Sequence, residues 1–496
     1  MKILFASPEA HPLIKTGGLA DVAGSLPRAI RNLRHDIRII LPAYQSILQQ
    51  TGKFTLAAHL SLEGVSQPVR ILSGKLPGST VTVYLVDSPG HFDRSGNPYT
   101  MKSGNAWPDN AERFTAFCRA IEAIALDTAG LDWQPEIVHC NDWQTGLVPP
   151  LLHRHAHRPA TVFTIHNLAY QGLFDWKTFK KLQLPNDFWS MHAMEFHNRF
   201  SFIKGGLVFA DWVTTVSPTY ALEIQTPEFG YGLEGLISHR EDNLTGIVNG
   251  VDYAVWNPGR DPHIPVQFNA RSLLHKLDNK RALQAHFSLP VANNIPVFAT
   301  ISRLVEQKGI DLIIDLVPDL VKEGAQLIIL GNGDQQLEKA ISDAAAKYPQ
   351  HIGTFLGYDE ALAHHIEAGA DIFLMPSRFE PCGLNQIYSQ RYGTVPVVRH
   401  TGGLADTVTD TTPATLANKT ATGFSFLETT ATALGNAVER ALSCYREPDT
   451  WMQIMQTGMK QDFSWKRSAH LYTELYETVL AAHTGAALAE PVPAAT

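Results

Sequence analysis

Four cysteines in 496 residues are too few and too scattered for a disulfide framework. Cys118, Cys140, Cys382 and Cys444 form no C-x-x-C pair and no metal-ligand spacing, so they read as reduced thiols of a cytoplasmic protein. No apolar run reaches the roughly 18 residues of a membrane span. The apolar opening of "MKILFASPEAH" is interrupted at Glu9, too early for a signal peptide, so no membrane association is expected. Positive charge is scarce too: 40 Lys and Arg against 48 Asp and Glu give a formal net charge of −8, which argues against nucleic acid as a partner. Two motif absences matter more. There is no Asp-x-Asp pair, the usual anchor for a divalent cation on a sugar diphosphate, so the neutralising cations must be side chains. The turn Gly331-Asn332-Gly333-Asp334 stops short of G-x-G-x-x-G, and no acidic residue follows a second strand at the expected interval, which counts against a nicotinamide enzyme. His153, His155 and His157 sit in a polar, proline-flanked stretch and read as a solvated face rather than a metal site.

What is present is a long globular chain. Its 44% hydrophobic and 18% charged residues, spread over this length, suit two or three domains. Short β-branched runs alternate with helical patterns, the signature of parallel sheets with crossover helices. In the first half the runs are "KILFA" (2–6), "VTVYLV" (81–86), "EIVHC" (136–140), "TVFTI" (161–165), "WVTTV" (212–216) and "TGIVN" (245–249). In the second they are "PVFATI" (296–301), "QLIIL" (326–330), "IGTFLG" (352–357), "DIFLM" (371–375) and "VPVV" (395–398). These are two α/β sets, and the Gly-, Pro- and Asn-rich stretch 249–268 between them is the expected hinge. Apolar residues spaced three or four apart predict a helix over 466–482, with one face to bury. The small, Pro-containing residues 484–496 predict a disordered tail.

The hexapeptide TGGLAD occurs twice, at 16–21 and 401–406, each time after an apolar run and before residues that suit a helix start. Paired glycines let a ligand approach the backbone, and a helix N-terminus offers free N–H groups, so the turn suits an anion. Polar, charged and glycine residues follow nearly every expected strand, where open parallel sheets bind ligands. Arg303 and Lys308, five apart at a strand-to-helix junction, can both reach one diphosphate. In "SRFEPCGLNQ", Glu380 offers a carboxylate to sugar hydroxyls and Gly383 leads into a helix, while Cys382 reads as a small buried side chain.

Taken in order, "SPEAHPLIKTGGLADVAGSLP", "HCNDWQTGL", "TIHNLAYQG", "GIVNGVD", "ISRLVEQKGIDL" and "PSRFEPCGLNQ" with "TGGLADTV" resemble bacterial glycogen synthases and plant starch synthases, from Lys2 to about Leu480. K-T-G-G-L is the specific part, because many nucleotide-sugar transferases share the later motifs. The resemblance implies a GT-B fold: two facing Rossmann-like domains with parallel sheets and an interdomain cleft. The acceptor domain would be 1–250, joined by the 466–482 helix, and the nucleotide-sugar domain 251–465. The implied reaction transfers glucose from ADP-glucose to the non-reducing 4-OH of an α-1,4-glucan with retention, with no cofactor and no metal. Carried over by motif, Arg303, Lys308 and Lys15 meet the donor phosphates, with Gly18 and the Gly383, Leu384 and Asn385 helix start, beside Cys382 and Thr407. Asp21 and Tyr358 lie near the adenosine and Glu380 on the glucose. His166 stands at the reacting centre, Asp142 and Asn249 line the sugar, and Glu9, Tyr99, Trp143 and Asn167 face the acceptor. On this reading each TGGLAD closes one side of the diphosphate. Many family members have Thr at the place of Asn385, which bears on donor preference.

Departure of ADP from glucose builds positive charge on the sugar and negative charge on the phosphates, so fixed cations are the main catalytic requirement. A covalent carboxylate would also give retention. Glu380 is the obvious candidate, but the resemblance assigns it to sugar binding, which favours front-face attack with the leaving phosphate taking the acceptor proton. A UDP-glucose-dependent transferase is the alternative within this class. A nicotinamide oxidoreductase would need the missing glycine fingerprint, and a non-catalytic glucan-binding protein would not need Arg303, Lys308 and Glu380 together.

Overall fold

The computed structural model describes residues 1–50, 54–101 and 103–489. They form two compact units, one of Met1–Val216, Ala221–Gly250 and the segment from Trp465, the other of Ser217–Tyr220 and Val251–Ser464.

The first unit is built on a nine-stranded sheet in the order Leu244–Gly246, Trp212–Thr215, Ala160–Ile165, Ile137–Asn141, Lys2–Ala6, Asp36–Pro42, Thr82–Asp87, Val69–Lys75 and Thr55–Leu60. All are parallel except the last two, which pair antiparallel at one edge. Counted along the chain, the parallel strands run 3-2-1-4-5-6-7 across the sheet. Lys2–Ala6, Ile137–Asn141 and Ala160–Ile165 are buried almost end to end, as parallel strands covered on both faces must be. Three further strands make a small antiparallel sheet in the order Leu173–Phe174, Arg199–Ser201, Glu195–Phe196.

The second unit carries six parallel strands in the order Ile352–Leu356, Gln326–Gly331, Val297–Ile301, Ile372–Met375, Val395–Arg399 and Phe424–Phe426. Along the chain this is 3-2-1-4-5-6, the doubly wound order. Alternation sets its core. Ile372 and Leu374 join one hydrophobic cluster with Ile313, Leu316 and Leu434, while Phe373 and Met375 join another with Leu330, Val398 and Leu404.

The C-terminal helix runs Trp465–Ala489 and packs on the helix Gly18–Asn32 and the strand Ala160–Ile165. Ala469, Tyr472, Leu475, Tyr476 and Val479 are buried, but Leu471 stays 43% exposed because it sits one residue off that stripe. The helix overruns the expected 466–482, and 484–489 are helical rather than disordered. The run "GAALA" has helix-forming alanines, and the first proline comes only at Pro491. Residues 490–496 of the expected tail lie outside the described residues. Three other differences are local. The strand Asp36–Pro42 escapes pattern reading because Arg38 interrupts it, yet that guanidinium lies 4.2 Å over the Trp133 ring and bonds the Tyr84 hydroxyl. Thr55–Leu60 is an edge strand with mostly exposed side chains. The expected strand 245–249 shrinks to Leu244–Gly246, and beyond it Gly250 passes close to Trp465, where a Cβ would come 2.5 Å from the Trp465 Cα.

Candidate active site

In a doubly wound sheet the crossovers leave in opposite directions beside the first strand, and the crevice between the loops after strands 1 and 4 binds ligands. Both units have this winding. In the first unit those loops follow Lys2–Ala6 and Ile137–Asn141; in the second they follow Val297–Ile301 and Ile372–Met375. The expected site residues concentrate in these four loops.

In the first unit Glu9 is 3% exposed and organises the glycine turn, accepting from Thr16 N at 2.6 Å and Thr16 Oγ1 at 2.7 Å. Burial raises its pKa, against the lowering effect of these bonds and one from Gly17 N. The turn leads into the helix Gly18–Asn32, and nothing described lies within 4 Å of where a Gly18 Cβ would stand. Lys15 and Asp21 pair with each other at 2.8 Å. Asp142 follows the fourth strand with φ 57° and takes the His166 N–H at 2.7 Å. Burial pushes its carboxyl up to about 7, opposed by the bonds from His166 N and Asn167 N. Burial lowers His166 to about 3, so this ring is neutral at neutral pH and cannot be a cationic acid there. Tyr99 lies near enough to Glu9 and Asp142 for their charges to raise its pKa, after burial as the main cause. Asn167 accepts from Ala169 N at 3.0 Å, which shapes the loop after His166. Trp143 is half-buried against Phe114, Phe174 and Phe202, and a Cβ on Gly172 would come 2.4 Å from its ring. Asn249 is 6% exposed, and its buried Oδ1 has no protein partner among the described residues.

In the second unit the two switch loops interlock. Gly309 has φ +66° and a Cβ there would meet the Pro376 carbonyl at 2.1 Å. Arg378 N donates to Gln307 O at 2.8 Å, and its guanidinium grips Asp311 with bonds of 2.9 and 2.8 Å. This lock places Lys308 against Glu380: the ammonium pairs with Glu380 Oε2, which also accepts from Ser377 Oγ at 3.1 Å. Arg303 is exposed one loop turn earlier, with Nη2 3.4 Å from Gln307 Oε1. Gly383 takes φ +70°, Leu384 caps the helix Asn385–Arg391, and Asn385 Nδ2 donates to the Ile301 carbonyl at 2.6 Å. Cys382 is buried. Its carbonyl accepts from Gln386 Nε2 at 3.0 Å, and the same amide reaches Thr407 Oγ1 at 3.1 Å. Thr407 in turn donates to Gly403 O at 2.6 Å, so the second TGGLAD is stitched to the 380–386 loop. Tyr358 stands apart from this cluster, two strands from the switch point and 72% exposed.

The motifs assign no role of their own to Asn141, Ser377 and Gln386, which are all buried here. Their neighbours are the motif residues, so nearness to Asp142, Glu380 and Asn385 was the signal available. Among the described residues no cluster of His, Cys, Asp and Glu could hold a metal ion, and no helix is long and apolar enough to cross a membrane.

Two family models match the chain: the starch synthase catalytic domain over residues 2–239 and glycosyl transferases group 1 over 283–456. A glycogen synthase of Thioalkalivibrio sulfidiphilus is 55% identical over 97% of this chain and 100% of its own length. Glycogen synthase 1 of Methylococcus capsulatus is 52% identical over 99% of both chains. Among solved structures, the catalytic domain of starch synthase IV from Arabidopsis thaliana, bound to ADP and acarbose, superposes with a TM-score of 0.87 at 33% identity, covering 97% of this chain and 99% of that one.

Proposed function

The chain belongs to the glycogen synthase and starch synthase family of GT-B glycosyltransferases, and on that premise we propose that it transfers glucose from ADP-glucose to the non-reducing 4-OH of an α-1,4-glucan with retention of configuration. The observation that carries this reading is the second unit's switch crevice, where Lys308, Glu380 and Arg303 are brought to one pair of interlocked loops. Lys308 and Arg303, with Lys15 of the first glycine turn, neutralise the leaving diphosphate as its charge grows. Glu380 holds glucose hydroxyls. Gly18, Gly383, Leu384 and Asn385 give the phosphates close backbone approach, with Cys382 and Thr407 behind that loop, while Asp21 and Tyr358 serve the adenosine. His166, neutral at working pH, acts by hydrogen bonding rather than by proton transfer. Asp142 and Asn249 line the sugar, and Glu9, Tyr99, Trp143 and Asn167 receive the glucan. A front-face attack, with the leaving phosphate taking the acceptor proton, needs no carboxylate nucleophile. The cysteines, mostly buried and outside any disulfide, fit a cytoplasmic setting.

The deciding experiment is turnover on glycogen with ADP-glucose against UDP-glucose, with the anomer of the new linkage read by NMR. Faster transfer from ADP-glucose and an α-linkage are expected; a β-linkage or a UDP-glucose preference would overturn the reading. The same assay in EDTA should show undiminished activity, since side chains supply the positive charge, and a loss restored by magnesium would reveal a metal site.

A further inference from the structure

Neighbouring residues of a strand point to opposite faces, so Asn141 and Asp142 should diverge. They converge instead. Asn141 closes the strand Ile137–Asn141, and the positive φ of 57° at Asp142 swings the next carboxylate back toward the same target. Asp142 Oδ1 takes the His166 backbone N–H at 2.7 Å, and Asn141 Oδ1 lies 2.9 Å from His166 Nε2. The orientation of the Asn141 amide is fixed on its other side. Its Nδ2 faces the Ala6 carbonyl at 2.9 Å and the His139 carbonyl at 3.4 Å, and two acceptors require the nitrogen there. The oxygen must then face His166. An amide oxygen only accepts, so the imidazole proton is on Nε2 and the lone pair is on Nδ1. Burial keeps the ring in its neutral form. No described residue hydrogen-bonds Nδ1, and the ring is half-buried at the strand end.

We propose that Asn141 and Asp142 bracket His166, fixing its ring in the Nε2–H tautomer so that Nδ1 serves as an acceptor for a substrate hydroxyl, with Asn141 as a positioning residue for the transfer. The role of the presented nitrogen rests on the function proposed above; the tautomer does not. Asn141 is fully buried and acts only through His166. A purely structural role would follow the pattern of the second unit, where Asn385 likewise caps the end of the first strand, through the Ile301 carbonyl. Such a cap would hold the strand end without choosing a tautomer.

The test is a long-range proton–nitrogen correlation spectrum of the full-length protein labelled with 15N-histidine, with His166 assigned by comparison with His166→Gln. A protonated Nε2 and a bare Nδ1 at neutral pH are expected, and a protonated Nδ1 or an imidazolium would overturn the bracket whether or not the enzyme turns over. In Asn141→Leu the ring should sample both tautomers, and kcat should fall on the order of tenfold or more while the ADP-glucose KM stays within about twofold. If Asn141→Leu does not fold, Asn141→Ser, which keeps a small polar group, takes the same two measurements. A folded variant with mixed tautomers and normal kcat would refute the positioning role. A wild-type protein with the expected tautomer that does not use ADP-glucose at all would instead refute the proposed function.

Discussion

The two units share one winding and the hexapeptide TGGLAD, yet the buried groups of their switch crevices differ in charge. In the first unit, Glu9, Asp142, Tyr99 and His166 are all pushed by burial toward their uncharged forms. In the second, the central groups are a lysine–glutamate ion pair and an exposed arginine. Apart from the Lys15–Asp21 pair in its glycine turn, the first crevice offers uncharged hydrogen bonders, which suit a glucan, whereas charged groups suit a diphosphate. The repeated TGGLAD follows the same division. Gly18 of the first copy borders open space. Gly403 of the second is a packing necessity, because a Cβ there would lie 2.1 Å from the Cys382 carbonyl oxygen. Asp21 pairs with Lys15, while Asp406 accepts from Ser217 Oγ and Thr219 Oγ1, each at 2.6 Å. Identical letters therefore serve an open turn in one unit and a wedge in the other.

The largest effect should come from ending the chain at Ser464. That removes Tyr472, Tyr476 and Val479, fully buried residues worth about 1.5–3 kcal/mol each, and the Tyr476 hydroxyl that bonds His139 Nδ1 at 2.7 Å. The first unit should lose its fold and the second, whose hydrophobic clusters are its own, should keep it. Limited proteolysis would then leave a protected fragment from the second unit alone; equal protection of both would break the comparison.

Next in size are the glycines. Gly403→Ala should cost about 3 kcal/mol or more in a denaturant titration, since backbone rather than a flexible side chain blocks the added carbon. Gly18→Ala should leave stability within about 0.5 kcal/mol, yet lower activity on the order of tenfold if a ligand uses the open space. A stable Gly403→Ala or an unstable Gly18→Ala would show that the two copies have been assigned the wrong way round.

Much of this was legible beforehand, and what was not has physical causes. Buried parallel strands announce themselves as apolar runs, and the residues that follow them were correctly expected at strand ends, so Asp142, His166, Arg303 and Glu380 could be named from motif and position. Asn141 could not. Its importance depends on a backbone reversal at Asp142, and a positive φ leaves no mark in composition beyond the mild preference of Asp and Asn for it. The wedge role of Gly403 was equally hidden, because it depends on a loop more than twenty residues away in sequence that only folding brings close.

In the charged crevice, Lys308→Ala and Arg303→Ala should lower kcat by about 10²–10³, more than they raise the donor KM, because the leaving diphosphate gains charge toward the transition state. Cys382→Ser, buried behind that loop, should do far less. Variants with normal kcat and only weaker donor binding would make the pair a ground-state anchor and erase the proposed contrast with the neutral crevice.

The smallest effect sharpens the neutral side. Asp142 has a folded pKa of about 7, above its ordinary value of 3.8. An acid raised in this way carries no penalty at low pH, where it is protonated in both states. As pH rises from about 4 to about 7 the unfolded chain releases the proton and the folded one retains it, so stability falls over that window and levels off above it. Partial exposure of Asp142 leaves only a small part of the full linkage effect realised. Asp142→Asn removes this titration while keeping an oxygen for the His166 N–H. Relative to wild type, the variant should therefore gain stability steadily between about pH 4 and 7 and run parallel outside that range. Glu9, raised in the same direction, should leave a residual slope in the variant. Thermal melts at closely spaced pH values read the difference directly. A difference independent of pH would mean that the Asp142 carboxyl is charged in the folded protein, and the first crevice would no longer be the neutral one.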